Sequence, residues 1–273
     1  MTDDQRHILA TARQAAFRAG SYQIRRRDGG FDVMHKGEID LVTDVDRESE
    51  RIIIETIRDR FPDHDILAEE SGWEARRSSF RWVIDPIDGT TNFAHGFPWF
   101  CISIACERDG ELECGVIHSP CLSFTFYGVR GEGAWLNDAP LRVSRRSPLI
   151  NSLLATGFPY DRTRDNENNF DHFFRFQLAT RGVRRAGSAA LDLAAVAAGW
   201  FDGFWECKLK PWDVAAGVLL VREAGGTVTS YTGEPYRIDD HRIVASNGVI
   251  HDEMLRLIAE GDVTASAAPG SPP

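Results

Sequence analysis

Several patterns that define common enzyme and binding classes are missing from this chain of 273 residues. It has no G-x-x-x-x-G-K-[S/T] loop, so ATP-driven chemistry is not expected, and no H-E-x-x-H or similar histidine spacing, so a zinc hydrolase is not expected. Its five cysteines are odd in number and include no C-x-x-C pair, which argues against a disulfide framework and for a reducing compartment. No apolar run is long enough to span a bilayer.

The charge balance argues against binding to nucleic acid. The formal net charge is -10, which disfavours a general nucleic-acid-binding surface, and the basic patch at residues 25–27 is better explained as solvated surface. The first residues are acidic and lack the pattern of a secretory signal peptide. We therefore expect a cytoplasmic protein that binds neither nucleic acid nor membrane. A phosphorylated substrate stays possible, because bound cations reverse the local potential.

The most informative stretch is residues 82–93, Trp-Val-Ile-Asp-Pro-Ile-Asp-Gly-Thr-Thr-Asn-Phe. It begins with an apolar run that has the length of a buried strand. Pro86 pushes the residue before it into extended backbone, so the strand is predicted to hold through Asp85 and then to turn. The simplest alternative is that these residues form only a turn between two strands, since Asp, Pro and Gly favour turns.

The second half of this stretch has the composition of an anion site. Asp88 precedes Gly89, which allows a ligand to approach the backbone closely. Thr90 and Thr91 can begin a helical turn whose free N–H groups favour an anion. Together with the carbonyl of Ile87, the two aspartates and this turn suit a divalent metal ion and a phosphate group.

Acidic residues stand at the predicted ends of several elements, where an open α/β framework places functional side chains: Asp46, Glu69, Asp85, Asp88 and Asp213. Some have ordinary explanations. Asp46 lies at a helix start predicted for residues 43–46, and Asp213 would interact favourably with the dipole of a helix predicted for residues 212–224. Taken together, oxygen ligands without a nearby His or Cys predict Mg²⁺ rather than Zn²⁺.

A phosphatase that forms a covalent aspartyl-phosphate is the main chemical alternative. Such enzymes carry D-x-D-G-T, with the two acids two residues apart at a strand end. Here Asp85 and Asp88 are three residues apart and Pro86 lies between them. This departure favours attack by a metal-activated water over a covalent intermediate.

The residues resemble the inositol monophosphatase family of Mg²⁺-dependent, Li⁺-sensitive phosphatases. Three blocks carry the resemblance, namely residues 69–71 (Glu-Glu-Ser), residues 82–93 and residues 211–217 (Pro-Trp-Asp-Val-Ala-Ala-Gly). It extends from about residue 5 to residue 260 and is strongest toward the bacterial inositol-1-monophosphatase branch. It implies a layered α-β-α-β-α sandwich of the inositol monophosphatase and fructose-1,6-bisphosphatase type, and homodimers are usual in the family.

The resemblance also implies how the chain is divided. Residues 1–146 would form an α+β half that carries most metal ligands, and residues 147–260 an α/β half that carries Asp213 and the substrate pocket. The segment 261–273 is small, polar and rich in proline, so we expect it to be disordered. The site would lie between the two halves.

Two to three Mg²⁺ ions are implied. One would be held by Glu69, Asp85 and the backbone carbonyl of Ile87, and a second by Asp85, Asp88 and Asp213. A third, weaker ion would bind through Glu69 and waters. A loop lysine of the family corresponds to Lys36, although its spacing to Asp40 is one residue shorter here.

The catalytic and substrate-binding roles are implied in the same way. Thr90, with Asp46 behind it, would orient and deprotonate the water on the ion that Glu69 holds. The N–H groups of Gly89 and Thr90 would hold the phosphate. Asp88 and Asp213 would also contact the substrate. Glu206 would bind ring hydroxyls, and the backbone around Gly187, Ser188 and Ala189 would form another part of the sugar pocket.

These roles predict hydrolysis of myo-inositol 1-phosphate or a similar small polyol phosphate. Histidinol phosphate, a sugar bisphosphate and a nucleotide 3′-phosphate are alternatives with the same chemistry. They stay open because animal members place a serine after the strand that here reads Ala155-Thr156-Gly157-Phe158-Pro159, and this chain has none. A regulatory role in association with transcription machinery is an alternative from a different class.

Overall fold

Two large β-sheets, one two-stranded sheet and three layers of helices make up the part of the protein that this computed structural model describes, residues 1–35 and 41–266. The strands are β1 Val33–His35, β2 Leu41–Thr43, β3 Asp65–Ala68, β4 Gly72–Glu74, β5 Phe80–Asp88, β6 Cys101–Arg108, β7 Glu111–Ser119, β8 Phe124–Val129, β9 Gly133–Leu136, β10 Ala139–Pro140, β11 Leu153–Thr156, β12 Gly182–Arg184, β13 Gly203–Cys207, β14 Thr227–Thr229 and β15 Arg242–Ser246. The helices are α1 Asp3–Gly29, α2 Asp44–Arg58, α3 Thr90–Ala94, α4 Phe170–Ala179, α5 Ala189–Ala197, α6 Pro211–Glu223 and α7 His251–Ser266.

The larger sheet has eight strands in the order β10-β9-β8-β7-β6-β5-β3-β4, antiparallel except for the β3–β5 pair. The smaller sheet has five strands in the order β12-β11-β13-β15-β14, of which β11 runs parallel to β12 and β13. Helices α1 and α2 cover one face of the large sheet, α5 and α6 lie between the sheets, and α4 and α7 pack together beyond the small one. The predicted α-β-α-β-α sandwich is confirmed.

Apolar faces at helical spacing drive this layering. On α2, Val45, Ile53 and Ile57 are fully buried, and the helix begins at the predicted place because Thr43 caps it. The middle helices approach closely because α6 carries small residues. A Cβ on Gly217 would lie 2.5 Å from the Cβ of Leu193 on α5, so only glycine fits there.

The central strand is longer than predicted. Strand β5 continues through Asp88 instead of ending at Asp85, and its pairing with β6 shifts register between these two residues. The physical reason is a bulge: Pro86 has no N–H to give to the ladder, so pairing resumes only at Asp88 opposite Cys101. The chain then enters α3, so the interpretation of this segment as only a turn between strands was also wrong.

The C-terminal segment differs from its prediction as well. Helix α7 ends at Ser266, so residues 261–266 belong to a helix and not to the expected tail, while residues 267–273 lie outside the described part of the chain. Lys36 and Asp40 also lie outside it. The division at residues 146 and 147 stays a proposal. Within residues 1–35 and 41–266, none of the helices combines the length and apolarity needed to cross a bilayer.

Replacing the buried imidazole of His118 is expected to flatten the dependence of stability on pH. Its Nδ1 lies 3.0 Å from the Thr125 hydroxyl, and burial lowers the pKa of His118 to about 4. The unfolded chain therefore binds a proton below about pH 6.5 that the folded chain does not. The stability that the neutral ring provides is complete above about pH 6.5 and is lost toward pH 4, by up to about 3 kcal/mol.

Urea unfolding between pH 4 and pH 7.5 measures this effect. The slope of unfolding free energy against pH should be smaller in His118→Gln than in the parent protein. His7→Gln, at an exposed position of α1, should leave the slope unchanged. Equal slopes in all three proteins would show that His118 does not titrate differently on folding.

Candidate active site

The bulge in β5 places two predicted metal ligands and a carbonyl at the end of the strand. Asp85 Oδ1 accepts the N–H of Ile87 at 2.9 Å, which fixes the carboxylate against its own turn. Gln23 on α1 donates from Nε2 to the Pro86 carbonyl at 2.8 Å and so holds the bulge from behind. Asp85 and Ile87 are buried. Asp88, beyond the bulge, lines the same cavity as Asp85 and Ile87.

Asp88 is held by the start of α5. Its Oδ2 accepts the hydroxyl of Ser188 at 2.6 Å and the N–H of Ala190 at 2.7 Å. Burial raises the pKa of Asp88 to about 6, although the Ser188 hydrogen bond acts in the opposite direction. One carboxylate oxygen is therefore committed to α5, while the other has none of these hydrogen bonds.

Asp213 is positioned by the first turn of α6. Its Oδ2 accepts the N–H of Lys210 at 2.7 Å, which makes it the capping partner of the helix. Burial and then the charge of Asp88 raise the pKa of Asp213 well above the ordinary value. Asp213 thus interacts with the start of α6 as predicted, and it also lines the cavity of the candidate site.

Glu69 enters from the loop after β3. Its N–H donates to the Ile84 carbonyl at 3.2 Å, so the loop continues the pairing with β5. The buried carboxylate of Glu50 on α2 accepts the N–H groups of Glu70 at 2.8 Å and Ser71 at 2.9 Å, which fixes the loop. Sequence reasoning missed Glu50. Its position four residues after Asp46, on one face of α2, was the available signal.

Thr90 and Asp46 form a buried pair at the start of α3. Thr90 Oγ1 lies 3.0 Å from Asp46 Oδ1 and 3.1 Å from the carbonyl of Ile87. The second oxygen of Asp46 accepts both the hydroxyl of Thr43, at 2.5 Å, and its N–H, at 2.8 Å. Burial raises the pKa of Asp46 to about 6. Gly89 precedes them at φ 99°, a left-handed conformation that suits glycine.

The acids that converge here suit a cation. Burial, and then the charges of Glu69, Asp88 and Asp213, raise the pKa of Asp85 well above its ordinary value. A divalent cation would relieve that repulsion, and the donors are all oxygen atoms, which Mg²⁺ prefers. Among the described residues, no three His, Cys, Asp or Glu side chains form a ready coordination shell. The fit therefore rests on the type of the donor atoms and on the cavity that they share.

A cavity of 560 Å³ is lined by most of the predicted site residues: Glu69, Asp85, Ile87, Asp88, Gly89, Thr90, Glu206 and Asp213. A smaller pocket of 110 Å³ adjoins it and includes Gly187, Ser188 and Ala189. Asp46 lines neither and lies behind Thr90. The structure thus brings the predicted residues together, and their individual roles stay predictions.

Two further residues of the smaller pocket were not foreseen. Asp192 is buried in the first turn of α5 and accepts the indole N–H of Trp99 at 3.3 Å, and Arg185 lines the same pocket. Burial and then Asp192 raise the pKa of Glu206 well above its usual range, and Arg185 lowers it in part. No sequence motif marked Asp192 or Arg185, because their proximity to Glu206 depends on how α5 packs on β13.

Comparison with known proteins identifies this layered fold with its acid-rich cavity as a phosphatase. The chain belongs to the inositol monophosphatase family, whose model matches residues 4–262, so the resemblance is confirmed. It is similar in structure to the inositol monophosphatase from Anabaena (Nostoc) sp. PCC 7120, with a TM-score of 0.87, 44% identity and coverage of 94% of this chain and 97% of that one.

Two sequence relatives show how widely the names within this family differ. The chain is 46% identical to the Nus factor SuhB of Pseudomonas aeruginosa, over 92% of this chain and 95% of the relative. It is 40% identical to the fructose-1,6-bisphosphatase/inositol-1-monophosphatase of Thermotoga maritima, over 88% of this chain and 94% of the relative. Family membership therefore fixes the enzyme class and leaves the substrate open.

Proposed function

We propose that the chain is a Mg²⁺-dependent, Li⁺-sensitive phosphomonoesterase that hydrolyses myo-inositol 1-phosphate or a similar small polyol phosphate. The observation that carries the proposal is the shared cavity, which is lined by the four acids Glu69, Asp85, Asp88 and Asp213 and also by Glu206. The first set suits cations and phosphate. The buried carboxyl of Glu206 suits the hydroxyl groups of an uncharged alcohol.

Two to three Mg²⁺ ions would be held by Glu69, Asp85, the Ile87 carbonyl, Asp88 and Asp213. When bound, they supply an activated water and neutralise charge on the phosphate and on the leaving oxygen. The protein's own contribution is to hold these donors in place. Asp88 is held by α5 and Asp213 by the first turn of α6, so each is oriented before the cation arrives.

Thr90 and Asp46 would move the proton of the attacking water. The Thr90 hydroxyl donates to Asp46 Oδ1, which leaves the Thr90 oxygen able to accept a proton from water. Asp46, with its pKa raised to about 6, is mostly ionised at neutral pH and can take the proton on. Thr43 keeps Asp46 in orientation. The N–H groups of Gly89 and Thr90 would bind the phosphate oxygens.

The alcohol that leaves would lie against Glu206 and the start of α5. A carboxylate there accepts hydrogen bonds from ring hydroxyls and disfavours a second phosphate. Arg185 on the same wall is the feature that favours a bisphosphate instead, in line with the name of the Thermotoga relative. Histidinol phosphate would place its ammonium group near Glu206 and Asp192. Substrate comparison therefore decides among these alcohols.

Phosphate release from inositol 1-phosphate, histidinol phosphate, a sugar bisphosphate, a nucleotide 3′-phosphate and p-nitrophenyl phosphate tests the proposal. Release should require Mg²⁺, fall with Li⁺ and be most efficient with inositol 1-phosphate. Glu206→Gln should lower kcat/KM for inositol 1-phosphate about 10- to 100-fold, because an amide nitrogen replaces an oxygen that accepts hydrogen bonds from ring hydroxyls. It should change p-nitrophenyl phosphate turnover little. Glu111→Gln, at an exposed hairpin residue, is the matched control. No Mg²⁺-dependent release from any of these esters would disprove the proposal.

An association with transcription machinery is a second candidate function, and its support is the Nus factor SuhB name of the Pseudomonas relative. With a net charge of -10, contact with a protein partner is favoured over direct contact with nucleic acid. Copurification with RNA polymerase that survives Asp88→Asn would support this role. Absence of copurification from the native source would remove it.

A homodimer is also part of the proposal. Its support on this chain is a stripe of exposed apolar side chains at helical spacing on α4, formed by Phe170, Phe174 and Leu178, the last two 66% and 68% exposed. A second copy of the chain would cover such a stripe. Sedimentation equilibrium gives the molar mass in solution, and a monomer at micromolar concentration would contradict the dimer.

A further inference from the structure

The carboxylate of Glu206 occupies the space that a side chain at position 157 would need. Gly157 directly follows β11, beside β13, which carries Glu206. A Cβ on Gly157 would lie 2.1 Å from Glu206 Oε1 and 2.4 Å from both Cδ and Oε2. Atoms that are not bonded do not approach so closely. The Glu206 carboxylate therefore packs directly against the backbone of Gly157.

A buried polar network fixes both sides of this contact. Asn169 donates from Nδ2 to the Gly157 carbonyl at 2.6 Å and to the Thr156 hydroxyl at 2.8 Å. Its Oδ1 accepts the indole N–H of Trp205 at 2.7 Å, and Thr156 donates to the Trp205 carbonyl at 2.5 Å. Trp205 immediately precedes Glu206. The end of β11 and the Glu206 backbone are thus tied together below the pocket.

We propose that Gly157 determines the alcohol specificity of this enzyme by leaving free the space that the Glu206 carboxylate occupies. Asn169 is the positioning residue that holds the Gly157 backbone in place. The proposal rests on the polyol-phosphatase function proposed above and names the residues that set it. Any larger residue at position 157 would displace the Glu206 carboxylate from the smaller pocket, which is lined by both Gly157 and Glu206. Deleting hydroxyl contacts in this way changes the substrate preference and leaves phosphate chemistry in place.

The effect of a substitution at Gly157 is expected to be selective because different elements position the phosphate-binding residues and the alcohol-binding residue Glu206. The phosphate side is held by β5, α3 and α6, through Asp85, Thr90 and Asp213. Gly157 and Asn169 belong to the segment between β11 and α4, which contributes none of those three residues. In the contacts around Gly157, the nearest atoms to an added Cβ all belong to Glu206. A methyl group there therefore acts first on the alcohol contact.

The test compares Gly157→Ala with the parent enzyme on two esters in Mg²⁺. The variant should lose about 10- to 100-fold in kcat/KM on inositol 1-phosphate, mainly through KM, and less than about threefold on p-nitrophenyl phosphate, which has no ring hydroxyls. Calorimetric binding of myo-inositol should weaken by a similar factor, a readout that does not depend on turnover. Gly182→Ala in β12 is the control, because its Cβ would meet nothing closer than 3.4 Å.

A double-mutant cycle separates displacement of Glu206 from a general structural effect. In a Glu206→Ala background there is no carboxylate to displace, so Gly157→Ala should add no further loss. Asn169→Asp keeps the size of the side chain and loses both donated hydrogen bonds, and should give the same selective loss in smaller measure. This second variant covers the case in which Gly157→Ala does not fold.

Specific results would overturn the inference. An equal loss on both esters in the two variants, or a loss from Gly157→Ala that persists in the Glu206→Ala background, would assign Gly157 a merely structural role. A preference for inositol 1-phosphate that disappears in Glu206→Gln and survives in Gly157→Ala would overturn the inference about Gly157 and leave the proposed function in place. A parent enzyme without that preference would contradict the proposed function, and the inference would fail with it.

Discussion

Asp88→Asn is expected to abolish Mg²⁺-dependent phosphate release, with a loss in kcat of at least about 1000-fold. The Asp88 oxygen that receives the Ser188 hydroxyl and the Ala190 N–H can be supplied by the amide oxygen of asparagine. The amide nitrogen would then occupy the place of the other oxygen, and it has no lone pair for a cation. Asp213→Asn is expected to behave alike, because Lys210 N–H fixes one of its oxygens.

Thermal unfolding distinguishes a lost cation site from a lost fold. Mg²⁺ should raise the Tm of the parent protein, because it binds the folded chain, and should leave the Tm of Asp88→Asn unchanged. Without Mg²⁺ the variant should be at least as stable as the parent, since one of several acids that repel each other becomes neutral. Asp109→Asn, in the exposed turn after β6, is the control. Activity near that of the parent enzyme would refute Asp88 as a ligand.

The second large effect is on stability. Asp202→Ala is expected to lower the free energy of unfolding by about 3 kcal/mol, which corresponds to a fall in Tm of about 6–12 °C. Asp202 is fully buried, and its carboxylate accepts the Ser144 hydroxyl, Arg146 Nη1 at 2.9 Å and the N–H of Leu153 at 2.8 Å. Alanine would remove this acceptor from the partly buried Ser144 hydroxyl and Leu153 N–H and would leave Arg146 without its ion pair.

Urea unfolding at neutral pH measures the loss, and Asp239→Ala at an exposed position gives the background effect of removing a carboxylate. Asp202→Asn should recover part of the stability, because its amide oxygen can still accept one or two of these hydrogen bonds. A difference between Asp202→Ala and Asp239→Ala below about 1 kcal/mol would show that the other partners are satisfied in some other way.

The features that could be predicted from sequence are those encoded within a few residues. The helix start at Thr43 depends on hydrogen bonds to residues two and three positions away, and the left-handed Gly89 directly precedes the helical turn it opens. The layered fold was implied by the family resemblance, which three short blocks of sequence carry. The extent of β5 could not be predicted in the same way, because its pairing beyond the bulge depends on β6.

What escaped sequence reasoning joins distant parts of the chain. Glu50 reaches the loop after Glu69 from α2, and Asn169 joins β11 to Trp205. Asp202 receives hydrogen bonds from residues more than 45 positions earlier. Acids and amides at such positions look like ordinary surface residues until the fold brings their partners together. Their burial is the physical property that composition and spacing do not report.

The two hydrogen bonds that Asp88 accepts from the start of α5 have a consequence for how this enzyme could acquire a new substrate. The same carboxylate is a proposed cation ligand, and the helix start that holds it also lines the pocket for the alcohol. Substitutions at positions 188–190 would therefore change ion affinity and substrate choice together. Evolution or engineering toward another alcohol has more freedom at Gly157, because the three atoms nearest to an added Cβ there belong to Glu206 and none to the helix that orients Asp88.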